Sequence, residues 1–433
     1  MFRKIIAFVF CSIFISSPCF SKSFSLIRDT EIEGVLTSYA QKIFSQANLN
    51  PKNAKVVIIN DESFNAFVAG GQTIFVHTGL ITQAKSVDDL IFVLSHETGH
   101  IVGGHITRSI GALEQAKTTA LISTILGGLV AVAGRPDAGI AVMMGGTSSA
   151  SGLYTSYRQT EESAADRIAV DIMNKTNYSM IGFSNTMKLF KIQDRLSAQD
   201  EWSYLRTHPL TQARINALER FLVNPLPAKK DIRFELVQAK LIGFLYPPRQ
   251  TFDLFKDRTD LPALYAKAIA HYKNRELSKS LTLIDKLINE KPTYPYFYEL
   301  KAQFLLETGQ IKPAITYYKK ALTYISKAPL IRLSLAQALL QEDKTENAQE
   351  AIKQLKLVLE TDADIPFAWQ LLATAYDRTK NQALIPYTMA ELYRLQKDIK
   401  NAHKMAKKAL ETLPKGTPEY QKALDILALN NQK

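Results

Sequence analysis

Residues 86–105 read SVDDLIFVLSHETGHIVGGH, and this stretch decides what the N-terminal half of the chain can be. The apolar residues after Ser86 recur at helical spacing, and serine is a residue type that caps helix starts. The pattern predicts a helix that begins after Ser86 and runs into His96. Residues four apart lie on one face of a helix, so His96 and His100 present their imidazoles on the same side.

The H-E-x-x-H pattern of residues 96–100 has the spacing at which two imidazoles bind one zinc ion. Zinc lowers the pKa of a bound water to about 7, and the carboxylate of Glu97 stands where it can take that proton. The attacked group in this chemistry is a peptide carbonyl. The alternative is a helix on which the two histidines only pack or contact solvent.

A catalytic zinc site needs a third protein ligand and an open fourth position. His105 is one residue short of the metzincin spacing, and on a continuing helix it faces away from His96. Glu162 is the better candidate, because it lies four residues before Asp166, which can orient a ligand histidine. Glu161 is an alternative ligand. The alternative for Glu162 and Asp166 is that both simply lie on an ordinary solvated helix face.

The 433 residues carry a net charge of +12 and are 46% hydrophobic, which is typical of a globular protein. Residues 1–21 have a basic start, an apolar run and small residues near the end, which predicts a cleaved secretory signal peptide; an uncleaved anchor is the alternative. Both cysteines, Cys11 and Cys19, lie within that segment, which excludes a disulfide framework and a cysteine zinc finger. The mild basic excess is weak evidence for an acidic partner or anionic membrane, and nucleic acid is not expected as a partner.

Around the motif, the pattern predicts a helix over residues 28–47 and short strands at 55–60, 65–68 and 73–76. Four apolar residues form one face of that helix: Leu36, Ala40, Ile43 and Phe44. Residues 120–150 hold two apolar runs, each short for a membrane span. We expect a buried or lid-forming helical hairpin there. Peripheral contact with a membrane, or contact with substrate, is the alternative.

From residue 261 the sequence repeats with a period of 34. Ala268, Ala302 and Ala336 occupy the same place in successive units, as small residues do where paired helices cross. Trp369 marks a further unit after a short insertion. The period predicts an all-α tetratricopeptide-repeat solenoid, whose units bury their apolar faces only by stacking.

Prolines punctuate the connector between the two halves, and we place the boundary near residue 255. The expected organisation is a signal peptide over residues 1–21, a peptidase domain over 22–255 and a repeat domain over 256–433.

The chain resembles the HtpX- and CAAX-prenyl-protease-like family of zinc peptidases. Three motifs in order carry the resemblance: His96-Glu-Thr-Gly-His100, Glu162-x-x-Ala-Asp166, and Thr207-His208-Pro209 with Arg214-Ile215. The resemblance implies an α+β zincin-type (gluzincin) peptidase domain with one zinc ion. It implies that the zinc ligands are His96, His100 and Glu162, with Glu97 as general base.

The same resemblance implies two roles for His208, either to stabilise the oxyanion or to cap the fourth position of the zinc and keep the enzyme latent. A plain helix-start histidine is the alternative. It also implies that Asn65, Phe67 and Val68 mark an edge strand to which an extended substrate can add. Together with the export signal and the repeats, it implies a periplasmic enzyme that acts on misassembled outer-membrane proteins beside their assembly machinery.

Two hypotheses of different classes follow. The first is an exported zinc endopeptidase whose repeats recruit substrate or the assembly machinery. The second is a periplasmic chaperone or assembly scaffold in which the repeats act and the zinc site is residual or latent. The intact Glu97 favours the enzyme, because a scaffold does not need a general base.

Overall fold

A computed structural model of the protein describes five stretches of the chain: residues 25–69, 71–105, 158–196, 208–209 and 211–429. These residues form two compact units, one that ends at Ile242 and one that begins at Gly243. The predicted signal peptide and the apolar segment 120–150 lie outside the described residues. The domain ranges 22–255 and 256–433 stay predictions.

The first unit contains a four-stranded sheet with strands β1 (Leu26–Ile27), β2 (Lys55–Ile59), β3 (Ala66–Ala69) and β4 (Thr73–His77). The strand order is β1-β2-β4-β3, in which β2 and β4 are parallel and the two outer pairs are antiparallel. The three strands predicted from the sequence are confirmed as β2, β3 and β4. As described, the sheet has β3 at one edge.

Seven helices of the described residues surround or follow this sheet: α1 (Thr30–Gln46), α2 (Thr78–Gln83), α3 (Val87–Gly103), α4 (158–176), α5 (Ile181–Leu196), α6 (Gln212–Glu219) and α7 (Ile232–Leu245). Short 3-10 helices cover Pro51–Asn53 and Arg220–Leu222. The predicted face of α1 is fully buried, because Leu36, Ala40, Ile43 and Phe44 all pack into the core. That helix prediction is confirmed.

Helix α3 begins as predicted after Ser86, but the serine side chain does not bond the helix backbone. Its hydroxyl instead lies 3.3 Å from a carboxylate oxygen of each of Asp88 and Asp89. Asp88 is fully buried and accepts hydrogen bonds from the backbone N–H groups of Ser179 and Lys229. These bonds tie the start of α3 to two later segments of the chain, which fixes the position of the helix that carries the H-E-x-x-H motif.

The described part of the second unit is helical throughout: α8 (Pro248–Leu254), α9 (Leu261–Lys273), α10 (Leu277–Glu290), α11 (Pro295–Glu307), α12 (Ile311–Tyr324), α13 (Pro329–Leu339), α14 (Thr345–Thr361), α15 (Pro366–Arg378), α16 (Ile385–Leu395), α17 (Ile399–Thr412) and α18 (Pro418–Leu427). A 3-10 helix covers Gln382–Leu384. Helices α9, α11 and α13 begin 34 residues apart, as the repeat requires. Ala268, Ala302 and Ala336 are each fully buried within these helices. The prediction of a helical repeat is confirmed.

Among the described residues, no helix combines the length and the apolar character that crossing a membrane requires.

Candidate metal centre

Four buried side chains converge in the first unit: His96, His100, Glu162 and His208. One donor atom from each lies within 4.8 Å of all the others. Helix α3 supplies both of the first two histidines from one face, one turn apart. Helix α4 supplies the glutamate, and the histidine comes from residues 208–209, before α6. The structure thus brings together the three predicted ligands and a fourth group.

The donor atoms in this cluster face one another closely. The Nε2 atoms of His96 and His100 are 3.1 Å apart. The carboxylate of Glu162 lies beside this pair, with one oxygen 3.3 Å from His96 Nε2 and the other 3.3 Å from His100 Nε2. Lone pairs from two imidazoles and a carboxylate therefore point at one small volume. Imidazole nitrogen and carboxylate oxygen are preferred zinc ligands, so this donor set fits a zinc ion.

Asp166 lies where the sequence predicts it. Its Oδ1 is 3.0 Å from His96 Nδ1, on the side of the ring away from the cluster. Arg214 holds this aspartate in turn, with Nε 2.7 Å from one carboxylate oxygen and Nη2 2.9 Å from the other. The same guanidinium lies 2.8 Å from Glu162 Oε2 and donates to the carbonyl of Pro209.

Arg214 is a site residue that the sequence reasoning missed. It stands in the motif segment that contains His208, but it was not assigned a role. The basic side chain in this segment could have indicated a role, because a site rich in carboxylates needs a positively charged partner. Its side chain is buried, so it neutralises two acidic groups that burial would otherwise penalise.

His208 lies between the two glutamates of the site. Its Nδ1 is 3.0 Å from Glu162 Oε1 and 3.4 Å from His96 Nε2. Its Nε2 is 3.5 Å from Glu97 Oε1. The ring therefore covers the cluster and contacts the predicted general base at the same time. A plain helix-start histidine would not be buried among these groups.

Glu97 is buried beside the cluster, and its surroundings change its acidity. Burial raises the pKa of Glu97 to about 7, although the charges of His100 and His96 act to lower it. A hydrogen bond with the backbone of Val68 also lowers it. A general base works best when its pKa is near the working pH, and this value is near neutrality.

The other ionisable groups shift in ways that reflect their partners. Burial by itself would lower the pKa of His96, but hydrogen bonds with Asp166 and Glu162 raise it to about 10. Burial would raise the pKa of Glu162, but the charge of His208 and hydrogen bonds from the histidines hold it below its usual range. The cluster therefore favours the ionised form of Glu162 and the protonated form of His96, whereas burial lowers the pKa values of His100 and His208.

The helix on which the expectation for His105 was based does not continue to this residue. A continuing helix would turn this ring away, but α3 ends at Gly103, and Gly104 takes a left-handed conformation with φ of 61°. The chain therefore turns at Gly104, and His105 Nδ1 lies 2.8 Å from His100 Nδ1. His105 is buried but is not among the four converging groups. Glu161 is also buried and also outside that group.

Strand β3 contains the residues predicted to contact substrate. The N–H of His77 donates to the carbonyl of Asn65, so the peptide groups of Asn65 and Phe67 face β4. The peptide group of Val68 then faces away from β4, where it bonds Glu97. The ring of Phe67 stacks on Phe75 at 5.0 Å, so this side chain packs on the sheet face and not along its edge.

Comparison with known proteins identifies the peptidase domain. Residues 28–222 match the model of peptidase family M48. The chain is 24% identical over 382 residues to the beta-barrel assembly-enhancing protease of Escherichia coli, which covers 86% of this chain and 77% of that protein. It is 25% identical over 430 residues to the putative beta-barrel assembly-enhancing protease of Vibrio cholerae, covering 94% and 86%.

A shorter similarity extends to a mitochondrial enzyme. The metalloendopeptidase OMA1 of Danio rerio is 25% identical over 203 residues, which are 46% of this chain and 42% of that protein. The matched family model and the named relatives indicate a metallopeptidase, and the buried donor set fits a metal ion. The chain therefore carries a peptidase family M48 domain over residues 28–222, and it is a zinc-dependent metalloendopeptidase.

Proposed function

We propose that His96, His100 and Glu162 hold the zinc ion and that Glu97 is the general base of peptide-bond hydrolysis. The observation that carries this proposal is the convergence of both Nε2 atoms and both carboxylate oxygens on one buried volume. Bound zinc would supply a polarised carbonyl and a more acidic water. The carboxylate of Glu97 accepts the proton of the attacking water and delivers it to the leaving amine.

Asp166 and Arg214 support this site without touching substrate. Asp166 accepts at the Nδ1 side of His96, which keeps the proton there and leaves Nε2 free to bind a metal. Arg214 fixes Asp166 through two nitrogens and contacts Glu162 with a third. A paired guanidinium keeps both carboxylates ionised, which is the form a metal ligand requires.

For His208, the contacts favour the latency role over the oxyanion role in this arrangement. Its Nδ1 lies within hydrogen-bond distance of Glu162 and near His96, which supports a role as a fourth ligand. A ligand there would close the position that substrate and water need. Substituting His208→Ala tests this choice: a higher basal cleavage rate supports latency, and a lower rate supports oxyanion stabilisation.

We propose that substrate binds along the side of β3 that faces away from β4. An extended peptide can add to an edge strand through main-chain hydrogen bonds. The outward peptide group of Val68 already contacts Glu97, so a peptide paired there would pass directly beside the base. Asn65 and Phe67 bond β4 through their peptide groups, and we assign them the role of holding the strand in register.

We propose that the full chain is exported to the periplasm and degrades misassembled outer-membrane proteins, with the repeats recruiting substrate or the assembly machinery. The predicted signal peptide supports export, and the names of the relatives support a role in β-barrel assembly. A periplasmic chaperone or scaffold with a latent zinc site is the second candidate. The placement of His208 over the cluster is compatible with this second candidate, but the intact Glu97 favours the enzyme.

A test in cells separates the two. The full chain, Glu97→Gln and a chain without residues 256–433 are compared for the amount of misassembled outer-membrane protein. The enzyme account predicts accumulation with Glu97→Gln as severe as with no protein. Normal clearance by Glu97→Gln, combined with failure of the shortened chain, would support the scaffold and overturn the enzyme account.

A further inference from the structure

The two histidines of the H-E-x-x-H motif share one arrangement. Each directs Nε2 to the cluster and Nδ1 to a second group behind it. For His96 that group is Asp166, at 3.0 Å. For His100 it is the ring of His105, whose Nδ1 lies 2.8 Å from His100 Nδ1. The sequence predicted the first of these partners and not the second.

We propose that His105 is a positioning residue that fixes the tautomer and ring orientation of His100. This inference rests on the proposed role of His100 as a zinc ligand. His105 is proposed neither as a zinc ligand nor as a substrate-binding residue.

The backbone conformation at the end of helix α3 determines where the ring of His105 lies. Gly104 adopts φ of 61°, and its N–H bonds the carbonyl of Ile101, which turns the chain back on the last helical turn. A Cβ at residue 103 would lie 2.1 Å from His105 Nε2, so the ring occupies space that exists because that residue is glycine. His105 is only 4% exposed, and solvent does not compete strongly for its Nδ1.

The hydrogen-bond chemistry gives each ring one tautomer. A histidine that presents the lone pair of Nε2 to a metal carries its proton on Nδ1. The Nδ1–H of His100 then donates to Nδ1 of His105, which must be unprotonated there and carry its own proton on Nε2. Partners of this kind hold a ligand ring in place, and their loss typically weakens metal binding about 10–100-fold.

Zinc affinity tests the proposal without relying on cleavage. The full chain, with Glu97→Gln throughout to prevent self-cleavage, is titrated with zinc against a chelator of known affinity. His105→Phe keeps a ring but removes the acceptor, and we expect affinity about 10–100-fold weaker. His105→Asn places an amide oxygen close to the former Nδ1, and we expect affinity near that of the parent.

The outcomes separate this inference from the proposed function. Parent-like affinity for His105→Phe overturns the inference, and so does an equal loss for both variants. His100→Ala is measured beside them: if it binds zinc as the parent does, the proposed ligand set fails, whatever His105 does.

A second readout does not depend on the variants folding. Nitrogen-15 NMR of the zinc-loaded full chain reports which ring nitrogens carry protons. The proposal predicts a proton on Nδ1 of His100 and on Nε2 of His105. A proton on Nδ1 of His105 would overturn it.

Discussion

Gly99 packs directly against Ala165, so that α3 and α4 approach each other closely at this point. A Cβ at residue 99 would lie 2.7 Å from the Cα of Ala165 and 2.8 Å from its carbonyl oxygen. Ala165 stands between Glu162 and Asp166 along α4. The close approach of the two helices therefore sets both carboxylates opposite the histidines of α3. The glycine in H-E-T-G-H is a packing requirement of the site.

Substituting Gly99→Ala should destabilise the protein by about 1–3 kcal/mol, because the new methyl group meets backbone atoms that cannot rotate away. We also expect weaker zinc binding, since the helices would separate. Urea unfolding of the zinc-free chain measures the first effect. Gly34→Ala is the matched control: Gly34 is an exposed residue within α1, where alanine should stabilise by about 0.5–1 kcal/mol. Equal effects of the two substitutions would contradict the packing account.

Substituting Arg214→Met should destabilise the protein by about 3–5 kcal/mol, because it leaves the buried carboxylates of Asp166 and Glu162 without their cation. The ion pair of Lys175 and Asp171 provides the control on the same helix α4, where both side chains are about half exposed. Lys175→Met should cost about 0–1 kcal/mol. Chemical denaturation at neutral pH measures both. A small effect for Arg214→Met would show that the buried guanidinium is not needed.

The pH dependence of cleavage should reflect Glu97. Burial raises the pKa of this carboxyl to about 7, and a bound zinc ion adds positive charge that lowers it. A general base acts only when ionised, so kcat/KM should fall tenfold per pH unit below the pKa, with its midpoint at or below about 7. Initial rates on one peptide between pH 5 and 9 test this. A rate that rises as the pH falls below 7 would contradict the assignment.

Pairing of substrate with β3 should produce an alternating pattern of sensitivity. In an antiparallel ladder, only every second residue of a strand bonds a given neighbour. Methylating single backbone nitrogens of a peptide substrate should therefore weaken binding about 2–10-fold at alternate positions, which corresponds to the net value of one hydrogen bond. KM values for a series of such peptides provide the test. Uniform losses along the peptide would argue against edge-strand addition.

Residue spacing predicts two of the histidines and a candidate carboxylate pair, and the resemblance implies the rest of the site except Arg214. The four-residue interval places His96 and His100 on one helical face, and the same interval links Glu162 to Asp166. The choice of Glu162 over Glu161 also agrees with which carboxylate faces the cluster. The helical repeat could also be predicted from the sequence, because the period of 34 residues remains recognisable where individual side chains differ.

The position of His105 could not be predicted, because it depends on where helix α3 ends. Extending α3 turns His105 away, whereas in the structure α3 ends at Gly103 and the chain turns at Gly104. A glycine past a helix end is a known stop signal, but its effect on a following ring requires the three-dimensional path. Arg214 was missed for a different reason. Its partners lie 48 and 52 residues earlier in the chain, and no local pattern links them.

Cleavage of an unfolded protein by the full chain, compared with Glu97→Gln at equal zinc content, tests the central claim most directly. The substitution replaces one carboxylate oxygen with an amide nitrogen of similar size, so folding and zinc binding should persist. We predict that the unsubstituted chain cleaves and that Glu97→Gln is slower by at least about 100-fold, the smallest contribution typical of a general base. Equal cleavage by both proteins would contradict the assignment of Glu97 and the mechanism built on it.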